Sequence, residues 1–468
     1  MPAKVAPFGE WLPDLADAPS HLKVATNVRA IANGYAPVRD WQAVTTGLGG
    51  QCLGGGAFRA SDGTTSLIAG TISALWRYSS GVWTGLISDT ATARWRMTQF
   101  GDNVICSNGT KLISYNLAAG TAGQIASAPT NCIDVATVRD FVMTLRDDDV
   151  VEWCEFNNSA NWGTGDNQAD TQQLLDGGAG VALVGGEYGL ILQKNCIRRA
   201  QYVGGDIVFQ FDVISPEIGC MAQGSVANVG RLVFFLSERG FQMCNGVDVS
   251  PIGDEKFNRW FFSRFPREDI QNIWAAIDTR SSLVMWAMPG EPGTIIAYNW
   301  VLQRATVISV AVTAMFNGYT SNISIDGVDA LYPTGLDDVP VSLDSALFQG
   351  GNPLLLIVDD DHYFGTLDGA NLEAAITVPA VEPTPGRRSR IRTVRPITDA
   401  TSAEITVDAR LRRGGAESVR SASSLRLNGK ANIRSNGRYN DVTVSIPAGE
   451  VWTDIQGVEI EFEAGDGR

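Results

Sequence analysis

From Cys52 onward the chain consists of short apolar runs that alternate with polar, glycine-bearing breaks. The runs that begin at Gly189 and Leu232 each end in a turn sequence rich in Gly, Asn or Asp, and each is followed by a second short apolar run. Apolar runs of about four to eight residues, punctuated in this way, are typical of β-hairpins. The pattern therefore predicts an all-β protein.

The predicted hairpins group into units of roughly 40–50 residues, each with three or four short strands. The units begin near Cys52, Trp95, Ile133, Val181, Gln223 and Asn272. A small sheet cannot bury both of its faces alone, whereas sheets packed as blades around an axis can. About six such units favour a β-propeller-like body, with a large irregular β-sandwich or two stacked barrels as the alternative folds.

The segments outside the repeats suggest a division of the chain into four parts. Residues 1–50 have little periodicity and are predicted to form an extended arm, ahead of the propeller-like body at 51–330. Residues 331–385 are predicted to be an irregular β return segment with a hairpin and a linker. In residues 386–468 apolar and polar positions alternate, which predicts a separate antiparallel β-sandwich domain.

Composition narrows the possible functions. The chain has 468 residues, a formal net charge of −15 and a pI of about 4.7, with 50 glycines that follow no collagen-like period. Such an acidic protein does not grip DNA over its whole surface, because phosphate binding needs local positive potential. An acidic channel around DNA is compatible with this charge, since it would repel the phosphates and let the duplex slide.

The cysteines and the termini give expectations about the compartment. The seven cysteines are widely spaced without a C-x-x-C pair, so we expect buried free thiols and neither a zinc site nor a disulfide framework. The N-terminal sequence has no apolar core of a secretion signal, and no run approaches the length of a membrane span. We therefore expect synthesis in a reducing cytoplasm and no membrane span.

Positive charge concentrates in the C-terminal domain. Between Arg387 and Arg438, Arg and Lys outnumber Asp and Glu. Alternating arginines on a strand most often form a solvated face, and the functional alternative is a docking surface for an acidic partner. The residues of this candidate docking surface are Arg387, Arg388, Arg390, Arg392, Arg395, Arg412 and Arg413.

Two acidic runs and two histidines are the candidate sites of chemistry in the sequence. The runs are Asp147, Asp148, Asp149 and Asp359, Asp360, Asp361. Consecutive residues point in different directions and acidic hairpin tips are commonly solvated, so we interpret both runs as loop tips and expect no metal site. The only histidines, His21 and His362, stand beside turns with no G-x-S-x-G motif, so no catalytic residue and no cofactor is expected.

A glycan-directed function is the main alternative suggested by the residues themselves. Carboxylate pairs at a propeller axis would suit a glycosidase, but the turn motif of sialidase propellers is absent. Twelve tryptophans lie mostly at predicted strand positions, where core packing explains them and a sugar-stacking surface is the other interpretation. A glycan-binding adhesin or a glycan depolymerase built on the β-propeller is therefore the alternative function.

Four stretches of the sequence resemble the tail nozzle proteins of short-tailed double-stranded DNA phages, also described as tail tubular protein B or packaged-DNA stabilisation proteins. They are P-D-L-A-D (13–17) with N-V-R-A-I-A-N-G-Y-A-P-V (27–38), R-D-F-V (139–142) with V-E-W-C (151–154) and N-S-A-N-W (158–162), the run 219–262, and the run 436–462. These are patterns of turns and aromatic residues, and none is a catalytic signature.

The resemblance implies a structural virion protein and no enzyme. It implies a homo-oligomeric ring, most simply a hexamer, below the portal and the head-to-tail adaptor. The ring would extend the DNA channel, retain the packaged genome and let it pass at ejection without sequence readout. Adaptor, tail fibre or spike proteins are then the expected partners, and the virion tail is the expected location.

Overall fold

A computed structural model describes residues 2–79, 81–205, 207–319, 353–413 and 419–464. Within these ranges the chain forms 41 β-strands, one α-helix at Asn258–Arg264 and 3₁₀ turns at Gln223–Ser225 and Asp269–Asn272. The all-β prediction is therefore confirmed.

Most of the strands fall into seven successive groups of four antiparallel strands, which we call blades one to seven. Blade one contains β8 (Gly54–Arg59), β9 (Thr65–Gly70), β10 (Ala74–Ser79) and β11 (Val82–Ser88). Blade two contains β12 (Arg96–Phe100), β13 (Asn103–Ser107), β14 (Leu112–Asn116) and β15 (Thr121–Gln124). Blade three contains β16 (Cys132–Val138), β17 (Phe141–Arg146), β18 (Val150–Trp153) and β19 (Asp170–Gln173). Blade four contains β20 (Gly180–Val184), β21 (Gly189–Gln193), β22 (Ile197–Tyr202) and β23 (Phe209–Ser215).

The remaining three blades complete the series. Blade five contains β24 (Ala227–Val229), β25 (Leu232–Ser237), β26 (Gly240–Cys244) and β27 (Val249–Pro251). Blade six contains β28 (Trp274–Asp278), β29 (Leu283–Met288), β30 (Thr294–Asn299) and β31 (Arg304–Ile308). Blade seven contains β32 (Ala314–Tyr319), β33 (Pro353–Val358), β34 (Phe364–Thr366) and, from the N-terminal part of the chain, β7 (Gln42–Ala43).

The blades close into a ring. The first strands of blades one, two, three and four lie side by side in that order, as do those of blades five, six, seven and one. Blades four and five share an apolar core that includes Leu190, Phe235 and Cys244. The body is thus a β-propeller, as the sequence predicts, and it has seven blades where the sequence suggested about six. The hairpin predicted at Pro353 is formed by β33 and β34, which belong to the seventh blade.

The C-terminal part forms a β-sandwich, which confirms the second half of the fold prediction. One sheet has the order β39-β36-β41-β6-β5, with β1 also paired to β41, and the other has the order β4-β35-β40-β37-β38. The sandwich strands are β1 (Ala3–Pro7), β4 (Val24–Thr26), β5 (Val28–Ile31), β6 (Gly34–Pro37), β35 (Ala374–Val381), β36 (Ser389–Thr398), β37 (Glu404–Arg410), β38 (Val419–Ser424), β39 (Ala431–Gly437), β40 (Tyr439–Ile446) and β41 (Ile455–Ala464). Buried positions alternate along β37 and β39, so their apolar side chains fill the space between the sheets.

The N-terminal residues, for which the sequence predicts an extended arm, contribute seven short strands. Besides those named above, β2 (Glu10–Trp11) and β3 (His21–Leu22) form a parallel pair. Asp14 accepts hydrogen bonds from the backbone N–H groups of Arg259 and Trp260, at 2.8 and 2.7 Å, and so caps the single α-helix. Residues 3–43 are therefore integrated with the sandwich, the helix and blade seven.

Propeller and sandwich share a sheet and a core. The last strand of blade six, β31, pairs in parallel with β4, so that blade six and one sandwich sheet form a single nine-stranded sheet. The same apolar cluster includes Phe241 and Trp286 of the propeller together with Val407 and Ile460 of the sandwich. This continuity fixes the two parts relative to each other.

Candidate functional site

One end of the propeller axis is filled by polar side chains and backbone. Arg96 donates to the carbonyl oxygen of Gln223 at 2.8 Å and lies 3.9 Å from the carboxylate of Asp134, while Arg94 donates to the carbonyl oxygen of Ile273 at 2.6 Å. A Cβ added at Gly224 would stand only 2.0 Å from the Ile273 oxygen. These contacts connect the beginning of blade two with the segments that precede blades five and six.

The charges in this plug belong to a structural network. Asp134 is buried, accepts a hydrogen bond from the Leu183 N–H at 2.9 Å, and faces Arg96. Burial raises the pKa of Asp134, and burial lowers the pKa of Arg94 to about 10. Asp134 connects blade three to its neighbours, blades two and four, whereas Arg94 connects the segments before blades two and six; nothing in their geometry pairs a nucleophile with a base.

The two acidic runs predicted as loop tips occupy equivalent positions in two blades. Asp147–Asp149 connects the second and third strands of blade three, and Asp359–Asp361 connects the second and third strands of blade seven. Because strands alternate in direction within a blade, these turns lie on one face of the propeller, which we call the back face. The front face carries the turns between the first and second strands.

The two acidic turns differ in how their carboxylates are used. In blade three Asp148 pairs with Arg146 at 2.8 Å, and Asp149 accepts a hydrogen bond from the Gly180 N–H at 2.7 Å. In blade seven only Asp359 has an internal role, accepting from the Tyr363 N–H at 2.7 Å. Burial and the neighbouring carboxylates raise the pKa of Asp359.

In the part of the chain that the structure describes, no group of three or more His, Cys, Asp or Glu side chains is arranged to hold a metal ion. His21 is buried, which lowers its pKa, and His362 has a left-handed backbone with a φ of 67° in the blade seven turn. All seven cysteines are free and buried, as the sequence predicts. Burial raises the pKa of the Cys132 thiol to about 11, so it is a poor nucleophile near neutral pH.

The predicted docking arginines divide into a paired and an unpaired group. On the strand face, Arg392 pairs with Glu463 at 2.8 Å and Arg395 lies 4.0 Å from Glu459. These arginines and glutamates form a row of cross-strand ion pairs, an ion-pair ladder, between β36 and β41. Opposite charges neutralise each other there, so the ladder is a solvated face with little free positive potential.

The unpaired arginines gather at one end of the sandwich. Arg387, Arg388, Arg390 and Arg412 are exposed and make no ion pair with any described residue. The start of β36 and the end of β37 meet there, because Gly437 pairs with Ser389 and packs against Ala409. We call these four residues the arginine end. Arg413, beside them, donates to the carbonyl oxygen of Asp17.

A cleft with a volume of about 890 Å³ lies between the propeller and the sandwich on the front-face side. Its lining combines a buried apolar part with charged groups. The buried apolar lining residues are Val38, Leu283, Met285, Ile308 and Leu355. The charged lining residues are Arg29, Arg39, Arg280, Asp278 and Asp368.

Two features of the cleft lining lack partners. Arg29 and Arg39 are exposed, and neither side chain makes a hydrogen bond or an ion pair within the described ranges. Trp452 also lines the cleft and is only 3% exposed, yet its indole N–H has no acceptor. Arg280, in contrast, lies 3.8 Å from Asp278. The cleft therefore offers the two guanidinium groups of Arg29 and Arg39 to an outside acceptor, whereas the indole N–H of Trp452 is buried.

The sequence did not predict this cleft, because the segments that line it are far apart along the chain. Arg29 and Arg39 belong to the N-terminal segment, Arg280 to a turn of blade six and Trp452 to the loop before β41. No local motif connects them. The only available signal was the stretch 27–38, which the resemblance had singled out and which includes Arg29.

Charge is divided unevenly between the two parts of the molecule. Residues 51–385 contain 18 Lys or Arg against 36 Asp or Glu, a net charge of −18, whereas residues 386–468 contain 14 against 11, a net charge of +3. The first 50 residues contain four of each sign. An acidic propeller is thus joined rigidly to a mildly basic sandwich.

No helix among the described residues is long and apolar enough to cross a membrane. No protein-family model matches the chain. No curated protein matches it either.

Several solved structures are similar in fold. The chain is similar to the structure of U3-55K, with 10% identity over 59% of this chain and 88% of that one, at a TM-score of 0.39. The RRP9 WD40 repeats give 10% identity, 60% and 88% coverage, and a TM-score of 0.39. The computationally designed Ika8 protein gives 10% identity, 77% and 99% coverage, and a TM-score of 0.39. These likenesses concern the β-propeller fold alone.

Proposed function

We propose that this chain is a structural protein of a phage tail, the subunit of a nozzle ring that continues the DNA channel below portal and adaptor. In this role it retains the packaged genome and lets it pass at ejection. The observation that carries the proposal is the division of charge, −18 in residues 51–385 against +3 in residues 386–468, across one rigid body. The sequence resemblance supplies the place in the particle.

A body with acidic and basic surfaces at different ends is suited to head-to-tail assembly. Contacts between unlike patches of identical chains generate rings when the rotation closes. Attraction between the two surfaces favours this arrangement, because complementary potentials fix orientation and register. The DNA channel would then lie between copies, since the propeller axis of each copy is filled at one end by Arg94, Arg96 and Gln223.

The acidic propeller suits the passage of DNA. A lumen lined by like charge repels phosphates, so the duplex is confined without being bound and its exit is not slowed by ion pairs. The arginine end, with Arg387, Arg388, Arg390 and Arg412, is the proposed docking site for an acidic surface of the adaptor.

The experiment that tests this function compares particles assembled with and without the chain. We expect particles assembled without it to package DNA and then release it, so that the genome becomes sensitive to added nuclease. A chain carrying Arg387→Glu and Arg388→Glu should fold normally, with an unchanged melting temperature, and should fail to join the particle. Particles that keep their DNA protected in the absence of the chain would refute the proposal and direct attention to glycan binding and turnover.

A further inference from the structure

The junction cleft has the character of a binding site with no occupant from its own chain. Its volume of about 890 Å³ lies in the range of about 300–1,000 Å³ over which proteins enclose ligands. Arg29 and Arg39 add two guanidinium groups without a partner among the described residues.

The two exposed arginines can bind carboxylates. A guanidinium group binds a carboxylate through two parallel hydrogen bonds. Asp278 and Asp368 in the lining, and the net charge of −18 on residues 51–385, oppose a polyphosphate chain that would need positive potential along its length. A short acidic protein segment with an apolar neighbour matches both the charged and the apolar parts of the cleft.

Blade seven presents such a segment on the opposite face of the same molecule. Asp360 and Asp361 are exposed and make no ion pair with any described residue, and the adjacent Tyr363 has 41% of its surface exposed. The turn is held in shape by Asp359, which accepts from the Tyr363 N–H, and by the left-handed His362. The acidic turn of blade three is a poorer candidate, since Asp148 and Asp149 are engaged within their own chain.

We infer that the junction cleft of one copy receives the Asp359–Tyr363 turn of a second copy, with the carboxylates of Asp360 and Asp361 bound by Arg29 and Arg39. This inference rests on the ring proposed above and identifies its contact. The turn lies on the back face and the cleft opens on the front-face side, so the contact joins unlike surfaces. A repeated contact of this kind is heterologous, and it generates a ring when the rotation between neighbouring copies closes.

The test uses reversed charges in the full-length chain. One variant carries Arg29→Glu and Arg39→Glu, and the other carries Asp360→Lys and Asp361→Lys. Sedimentation velocity over a range of concentrations at low salt measures self-association. We expect the wild-type chain to associate and each variant alone to dissociate with a Kd at least about 100-fold higher, because like charges then face each other. An equimolar mixture of the two variants should recover association, because every contact in an alternating ring again joins opposite charges.

Two controls separate this contact from general charge effects and from misfolding. A chain with Asp147→Lys and Asp148→Lys undergoes the same change in net charge as the turn variant, and its Kd should stay within about threefold of the wild-type value. Circular dichroism melts should show that both cleft and turn variants fold. All four substituted residues are exposed and unpaired among the described residues, so their melting temperatures are expected to match that of the wild type.

Several outcomes would overturn the inference. A wild-type chain that stays monomeric, a cleft variant that associates normally, or a mixture that fails to recover association would each do so. Binding of a short DNA duplex that is lost in the Arg29→Glu, Arg39→Glu variant would assign the cleft to phosphate instead. A ring that persists in the cleft variant refutes this contact. The nozzle proposal is tested separately, by the particle experiment above, and would not be refuted by that result.

Discussion

Arg304 provides the most specific test of how the propeller and the sandwich are held together. It lies on β31 of blade six, and its guanidinium group donates to the carbonyl oxygens of Gly9 at 2.6 Å and Ile31 at 3.2 Å, and to the hydroxyl of Tyr35 at 3.0 Å. It also lies 4.8 Å from the centre of the Tyr35 ring. A single side chain therefore connects blade six to three points of the N-terminal segment.

The Arg304→Ala substitution should destabilise the protein by about 3–5 kcal/mol. Each hydrogen bond from a charged donor contributes about 1.5–3 kcal/mol to stability. Arg304 is half-buried, so water can replace part of what the substitution removes, and the loss is smaller than the sum of three such bonds. The change also leaves the Gly9 and Ile31 oxygens without this donor. Arg304→Lys should recover about half of the loss, since a single ammonium group cannot serve three acceptors in a plane.

Urea denaturation followed by circular dichroism measures the effect. We expect the Arg304→Ala chain to show an earlier first transition, in which the N-terminal segment and the sandwich separate from blade six. The matched control is Arg231→Ala on the propeller surface, where Arg231 and Glu187 are 76% and 74% exposed and the ion pair is worth less than about 1 kcal/mol. If Arg304→Ala cost no more than this control, the role assigned to Arg304 would be wrong.

Three further predictions test closure, pH dependence and burial. Gly365→Val should lower the melting temperature, because a Cβ there would stand 2.4 Å from both the Gln42 oxygen and the Trp41 ring and would separate β34 from β7. Gly123→Val is the control and should leave the melting temperature unchanged, because Gly123 has open space around it. Burial raises the pKa of Tyr35 to about 12, so the folded state keeps a proton that the unfolded chain releases near pH 10. The free energy of unfolding should therefore keep the full contribution of Tyr35 below pH 10 and lose it between pH 10 and 12. For Tyr35→Phe, urea denaturation at a series of pH values should show a smaller decrease in the free energy of unfolding over that range. A thiol reagent at pH 8 should modify none of the seven cysteines in the native protein and all of them in denaturant; rapid native modification would contradict the burial described.

Local patterning predicted most of the propeller. The runs at Leu232–Ser237 and Pro353–Val358 are strongly apolar and end in turn residues, so each identifies its own strand and hairpin. β7, in contrast, is two residues long with no apolar pattern, and it completes blade seven only because β34 lies beside it in space. A strand defined by a partner more than three hundred residues away carries no local signal, which is why closure of the ring was not predicted.

The arginines of the candidate docking surface differ in their surroundings. On β36, Arg392 pairs with Glu463 of β41, and Arg395 lies opposite Glu459. Opposite charges at facing positions of two paired strands neutralise each other. Arg390 at the start of β36, and Arg387, Arg388 and Arg412 beyond the strand ends, make no ion pair with any described residue, and they remain the candidates for docking.

The measurement that tests the central claim most directly is a cryo-EM reconstruction of the particle that carries this chain, focused on the tail vertex. The account predicts a ring of copies around the axial channel beneath the adaptor. Each seven-bladed propeller would lie beside the channel, with its own axis outside the path of the DNA. Density for the chain at the periphery as a fibre or spike, or its absence from the particle, would contradict the nozzle function.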